Sequence, residues 1–363
     1  SVNGSFTINT YDGLSDRPNL TLGRNAHLSV NASSSFNVGA FTQNQTFTTS
    51  SGSTLITDSE MNADDVQLNL TVTTGGWRFV SLPFDVNVSD IQCTDGTLWV
   101  IRKYSGADRA ALSGNTWQNM GSGMTLQAGE GYILHCDNEG QREVVFTFRA
   151  VNNAKKNGIF AHQDVVKPLG AFPSEHAHNR GWNLVGNPYP SFYQSTAIEH
   201  NGVITVWSPS DSFRSYSSGG SYVAYSLLDD DYVLRPYEAF FVQCPADVES
   251  MTFRADGRTH EYGSVNNVVY ARALMAQQPE ERQVYNIILS DGSCSDRARV
   301  VINDKAKIDY EICCDASKFM SDNPDVPSVK KMPRTPNLYG YFTLTTAPLK
   351  HWDASFSGIY TGR

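Results

Sequence analysis

Apolar and polar residues alternate in short runs along most of this chain. "LNLTV" (Leu68–Val72), "FTFRA" (Phe146–Ala150) and "RARVVIN" (Arg297–Asn303) are three of them. Alternation with a period of two places side chains on opposite faces of a strand. Segments with apolar residues at helical spacing are scarce, and the one short helix expected lies around Asp315–Met320. In the first seventy residues the runs are very short: "LTL" (Leu20–Leu22), "HLSV" (His27–Val30), "FNV" (Phe36–Val38), "TFTT" (Thr46–Thr49) and "TLIT" (Thr54–Thr57), then "LNLTV". Small polar residues separate them. Pieces this short cannot form stable hairpins alone, but stacked in register they bury a continuous apolar column. That is the logic of a β-solenoid. A β-sandwich edge or a meander is the alternative. So few coils would be marginal, so Ser1 is expected to lie inside a longer protein.

The middle of the chain repeats itself. "GWRFVSLPFDV" (Gly76–Val86) matches "GWNLVGNPYPS" (Gly181–Ser191), with Trp77 and Trp182 105 positions apart. Trp117 and Tyr222 stand at the same spacing, as do the two "TFRA" segments at Thr147–Ala150 and Thr252–Ala255. "LQAGEGYILHC" (Leu126–Cys136) matches "LRPYEAFFVQC" (Leu234–Cys244) at 108 positions. Four landmarks in one order predict two copies of one all-β unit. In each copy a Trp-led strand ends at a proline, which removes a ladder donor and fixes φ. A second strand follows, then a turn into the Trp117 or Tyr222 strand. "GEGYILHC" and "YEAFFVQC" are apolar on both faces and are expected to be central. The Gly-Asn-Pro-Tyr-Pro corner at Gly186–Pro190 has no Gly-Asn counterpart in the first copy. The shared parts are Trp, an apolar pair and Pro, which is what a packed corner requires.

From about Asn266 a third unit is expected, with strands at Gln283–Gly292, Arg297–Asn303 and Tyr339–Pro348. A Pro-rich loop at Asp322–Pro336 interrupts it, and a last strand pair falls in Ala354–Gly362. The fold class expected is all-β: a short N-terminal β-solenoid followed by tandem β-sandwich-like domains. The boundaries are 1–70, 71–160, 161–262 and 263–363.

Composition narrows the partners. The net charge of the 363 residues is −9 and no Lys/Arg-rich patch occurs, which argues against nucleic acid. No apolar run reaches the roughly eighteen residues of a membrane span. The start at Ser1 without Met suits a mature or trimmed product. Sequons such as Asn44-Gln-Thr46 and Asn69-Leu-Thr71 occur, as chance produces them in an Asn/Thr-rich chain.

Chemistry-bearing patterns are sparse. Six cysteines show no C-x-x-C spacing, and Cys136 and Cys244 hold equivalent places in the two copies, as packing atoms would. No G-x-S-x-G, P-loop, H-E-x-x-H or EF-hand pattern is present. His176 and His178 are the best metal candidates, because positions i and i+2 of a strand point the same way. Zinc needs three or four convergent ligands, so the simpler reading is a solvated loop and no cofactor is expected. Asp229–Asp231 reads as a solvated acidic turn. Trp99, Trp117 and Tyr222 are the candidate sugar platforms, since flat aromatic faces suit a pyranose ring. Core or turn packing is the competing role for each.

"GWRFVSLPFDV", "GEGYILHC" and "GWNLVGNPYPS" resemble a recurrent module of large surface or secreted proteins of Bacteroidetes. The segment Leu289–Phe319 resembles the β-sandwich that follows it there, through Ser295-Asp296-Arg297, Ala306, Tyr310-Glu311, Asp315-Ala316 and Lys318. The resemblance implies export, commonly by a type IX route, and an extracellular or outer-membrane location. It implies no particular reaction. The expected function is a non-enzymatic, adhesin-like structural protein. Its partners would be a glycan or a host or cell-surface ligand, and the secretion or surface-attachment machinery. A carbohydrate-binding module of a larger glycan-capture protein or enzyme is the alternative, and a hydrolase with a site between domains is the third reading.

Overall fold

The computed structural model describes residues 19–30, 36–46, 52–75, 77–136, 142–151, 159–176, 179–200, 203–209, 220–227 and 232–262, and four strands beyond them. The described chain is almost entirely β, arranged in several separate sheets.

The N-terminal strands are β1 (Leu20–Leu22), β2 (His27–Val30), β3 (Phe36–Thr46), β4 (Thr54–Thr57) and β5 (Met61–Thr73). They pair in parallel, β1 on β3 on β5 and β2 on β4. Leu20 faces Phe41, Phe36 faces Met61 and His27 faces Thr54. Two of these strands are longer than the short pieces of sequence suggest: 11 residues in β3 and 13 in β5. Parallel stacking explains the difference. Pairing with a neighbour extends a strand through polar positions such as Thr42 and Asn44 that interrupt the apolar run. The buried faces carry Val38, Phe41, Met61, Ala63, Val66, Leu68 and Leu70. On the other face the Asn69 amide donates to Asn44 Oδ1 at 2.9 Å, and Thr147 Oγ1 donates to Asn69 Oδ1 at 2.9 Å. The two sequon asparagines thus form a short side-chain ladder.

The first repeat comprises β6 (Trp77–Ser81), β7 (Val86–Asn87), β8 (Gln92–Cys93), β9 (Trp99–Tyr104), α1 (Gly106–Ala111), β10 (Trp117–Asn119), β11 (Thr125–Leu126), β12 (Gly131–Cys136) and β13 (Glu143–Arg149). The second comprises β14 (Val165–Pro168), β15 (Trp182–Gly186), β16 (Phe192–Gln194), β17 (Ile198–Glu199), β18 (Val203–Pro209), β19 (Gly220–Ser226), β20 (Val233–Leu234), β21 (Ala239–Gln243), β22 (Ser250–Phe253) and β23 (Arg258–Thr259). Their main sheets have the same order, β10-β9-β12-β6 and β19-β18-β21-β15. The shorter pairings also correspond: β7 with β11 as β16 with β20, and β8 with β13 as β17 with β22. The apolar strands β12 and β21 are both central. The "FTFRA" strand β13 runs between β5 and β8. The N-terminal strands and the first repeat therefore share one sheet, and one apolar core runs from Leu22 to Phe160 and takes in Tyr237 of the second repeat. A second core fills the second repeat, from Leu169 to Phe253.

Between β9 and β10 the chain makes α1, where the sequence suggested a plain turn. Ser105 caps it by accepting from the Asp108 amide at 3.1 Å, and Leu112 ends it in the left-handed region. This is a side-chain cap on a helix-favouring "ADRAA" stretch too short to show a period. The helix expected at Asp315–Met320 lies outside the described residues.

Beyond the repeats, β24 (Gln283–Ser290) and β25 (Ser295–Ile302) form the expected antiparallel hairpin. β26 (Ser328–Lys331), inside the Pro-rich segment, pairs with β27 (Phe342–Thr345). The segment read as a loop thus contains a strand. The strand pair expected in Ala354–Gly362 lies outside the described residues.

The two repeats meet about a local pseudo-two-fold axis. Ser81 N donates to Tyr237 O at 3.0 Å, and Gly186 N donates to Gly129 O at 3.0 Å. Ser81 and Gly186 are equivalent positions 105 apart, and Gly129 and Tyr237 are equivalent positions 108 apart. Isolated bridges pair Val80 with Glu238 and Glu130 with Val185 in the same crossed sense. The approach is close: a Cβ on Gly186 would lie 1.9 Å from Ser81 Oγ.

The turn before each central strand needs a left-handed residue. Gly129 supplies it at φ +68°, and Tyr237 adopts it at φ +65°. The strained tyrosine is held by its side chain, which is fully buried in the first core with its hydroxyl 2.5 Å from Gln43 Oε1. Gln43 Nε2 in turn donates to Ser53 O at 2.9 Å. Tyr237 thus pins the second repeat to the N-terminal strands. A Cβ on Gly129 would meet nothing nearer than 3.4 Å, so only backbone strain opposes a side chain there. Gly129→Ala should therefore cost about 1–2 kcal/mol in urea unfolding.

Candidate functional site

The aromatic candidates converge at the seam between the repeats. Phe79 and Tyr104 from the first repeat and Trp182, Leu184, Ala239 and Phe241 from the second form a small apolar cluster. Half-buried Trp117 and Tyr222 flank it. Each lies 6.1 Å from the Phe79 ring and 6.3 Å from the Phe241 ring, centroid to centroid. Trp117 also meets Tyr104 edge-on at 5.1 Å. The two residues are therefore brought together, as ends of an aromatic seam and with ring contacts on both repeats. Trp99 is elsewhere. It packs against the first core, edge-on to Phe146 at 5.9 Å.

Helix α1 reinforces the seam. Gly106 sits so close to Trp182 that a Cβ there would lie 2.2 Å from the Trp182 carbonyl oxygen. The Arg109 guanidinium lies over the Trp182 ring at 5.5 Å, and Arg102 lies over Trp77 at 5.0 Å. Trp182 is 2% exposed, whereas Trp77 is half-buried.

The Gly-Asn-Pro-Tyr-Pro corner is a hydrogen-bonded joint. Asn187 is fully buried, and its amide donates to Ser191 O at 2.9 Å and Arg235 O at 3.1 Å. Its Oδ1 accepts from the Tyr189 amide at 3.0 Å. Tyr189 stacks on Tyr193 at 5.5 Å, and its hydroxyl reaches Gln163 O and Phe253 O. Pro190 O accepts from Leu55 N at 2.8 Å, joining the corner to β4.

No family model, no curated protein and no solved structure matches the chain.

His176 is exposed in the turn before Trp182, and His178 lies outside the described residues. Among the described residues, no three of His, Cys, Asp and Glu are grouped as metal ligands. Among them, too, no helix is long and apolar enough to cross a membrane. Asp229–Asp231 lie outside the described residues.

Two polar groups are unforeseen by sequence. Glu238 is 5% exposed and receives Tyr232 Oη at 2.8 Å and Arg235 N at 2.7 Å. Burial raises its carboxyl above the ordinary range, and the Arg235 guanidinium opposes that shift. Its counterpart Glu130 pairs with Lys167 at 3.2 Å. The second group joins His27, Ser29, Thr54 and His260. Nothing in sequence pointed to it, because His260 lies more than two hundred residues from the other three.

Cys136 and Cys244 are inert by position. Both are buried and free. Burial pushes their thiols up to about 12 and about 11. The thiolate is the reactive form. In the native protein at pH 8, iodoacetamide should therefore leave both unmodified, while in urea both react, as peptide mass mapping would record.

Proposed function

We propose that this chain is a non-enzymatic structural protein of the adhesin type, exported to the surface of a bacterial cell or released from it. In this reading the parallel N-terminal strands are the last coils of a β-solenoid, and the two repeats are tandem β-sandwich-like domains bonded to its end. The Asn44–Asn69 ladder supports the solenoid, since stacked amides recur where parallel strands pile in register. The observation that carries the reading is the pseudo-two-fold seam. Crossed main-chain bonds and an aromatic cluster join the two duplicated units, which supports reading them as one stiff body. Such a body suits a part that projects and resists unfolding. The resemblance of the Trp-led corners to Bacteroidetes surface modules supports export by a type IX route.

Labelling of intact cells with an antibody to the chain tests the location. Signal on intact cells is expected, and signal only after permeabilisation would count against it. Single-molecule pulling tests the mechanics: the two repeats should rupture in one event. Two separate events, one per repeat, would remove the basis of the proposal.

The carbohydrate-binding alternative rests on Trp117 and Tyr222, which keep partial exposure at the seam. Retention on a glycan array that is lost in Trp117→Ala would favour it over a purely structural role.

A further inference from the structure

Four polar side chains from distant parts of the chain meet where the N-terminal strands touch the second repeat. His27 and Ser29 lie on β2 with exposed side chains, buried Thr54 opens β4, and half-buried His260 follows β23. The buried Thr54 hydroxyl stands between two imidazoles, with Oγ1 2.6 Å from His27 Nδ1 and 2.6 Å from His260 Nδ1. The other nitrogen of His260, Nε2, is 2.7 Å from Ser29 Oγ. The ring centroids are 5.3 Å apart.

With both rings neutral the chain of bonds closes in either direction. Ser29 donates to His260 Nε2, His260 Nδ1–H to Thr54 Oγ1 and the Thr54 hydroxyl to His27 Nδ1, or all three bonds reverse with the other tautomers. One added proton is tolerated by reorienting the hydroxyls. A second is not, because Thr54 must then accept from both rings and its own proton is left without a partner in a buried site. Two like charges would also face each other across one hydroxyl.

We propose that His27, Ser29, Thr54 and His260 form a proton-sensitive latch that holds β2 and β4 against the second repeat and releases them in acid. The surroundings set its polarity. Burial, with His27 adding to it, lowers the pKa of His260 to about 4, and Glu261 beside it in the chain opposes the shift. Beside the cluster Arg258 donates to Asp58 at 2.7 Å and to Thr57 O. An unfolded or undocked histidine titrates near 6.5. The undocked form therefore takes up a proton first as pH falls. Stability of the contact is complete above about pH 6.5 and is lost between there and about pH 4.

Two measurements on the full chain decide the matter. The first follows the His260 Cε1–H resonance through an acid titration, with the resonance assigned from His260→Gln. A midpoint below pH 5 is expected, and one at 6.5 or above overturns the latch. The second is exchange of the Leu55 amide, which donates to Pro190 O across the contact, corrected for intrinsic rate. Its opening equilibrium should rise about ten- to a hundred-fold from pH 6.5 to 4 in the wild type. It should stay flat in His260→Gln and rise as in the wild type in Asp58→Asn. An unchanged rise in His260→Gln, or its disappearance in Asp58→Asn, assigns the effect to carboxylates and overturns the proposal. Should His260→Gln fail to fold, the resonance is assigned by sequential labelling and the wild-type titration decides alone.

Discussion

Phe241→Ala should destabilise the chain by about 3–5 kcal/mol, among the largest losses available to a single substitution. Phe241 is 1% exposed at the centre of the seam. Its ring meets Phe79 at 5.5 Å, Tyr104 at 4.7 Å and Trp182 at 6.2 Å, all edge-on. Main-chain bonds on both sides of the axis hold the two sheets, so they cannot close over the gap, and the cavity persists. Urea unfolding followed by tryptophan fluorescence measures the loss. A double cycle with Phe79→Ala should give a coupling of about 0.5–1.5 kcal/mol, the excess of an edge-to-face pair over simple burial. A cost below about 1 kcal/mol would mean that the seam relaxes freely.

Asn187→Ala should cost about 2–4 kcal/mol, although it removes only a small polar side chain. The loss comes from what remains. Ser191 O, Arg235 O and the Tyr189 amide each lose a partner inside a fully buried corner. Asn187→Asp should be at least as damaging, since a carboxylate would present lone pairs to two carbonyl oxygens. Thermal unfolding of the two variants against the wild type measures both. A near-neutral Asn187→Ala would show that the corner does not depend on the amide.

The strand content and the duplicated landmarks were legible because they rest on local chemistry. Trp at the head of a strand, Pro at its end and an unbroken apolar run each have a meaning independent of the rest of the chain. The seam was not legible. It depends on which faces of the two copies meet, and Ser81 and Gly186 carry no mark of being partners. Tyr237 was hidden for another reason: its equivalent is Gly129, and nothing in "RPYE" announces a left-handed tyrosine held by a glutamine 194 positions away. Asn44 and Asn69 were visible but drew attention as sequons, while their spacing of 25 matches the β3–β5 register. Of the aromatic candidates, half-buried Trp117 and Tyr222 meet at one place and Trp99 does not, because strand edges 105 residues apart converge only through the pseudo-two-fold. The His27–His260 cluster needed coordinates for the same reason.

Crossed main-chain bonds join the duplicated units, and the amides of Ser81 and Gly186 report on those bonds directly. Hydrogen exchange resolved at these two residues is the decisive measurement. Protection of both amides to the level of the central strands β12 and β21 is the expected result. Rapid exchange at Ser81 and Gly186, with β12 and β21 still protected, would contradict it.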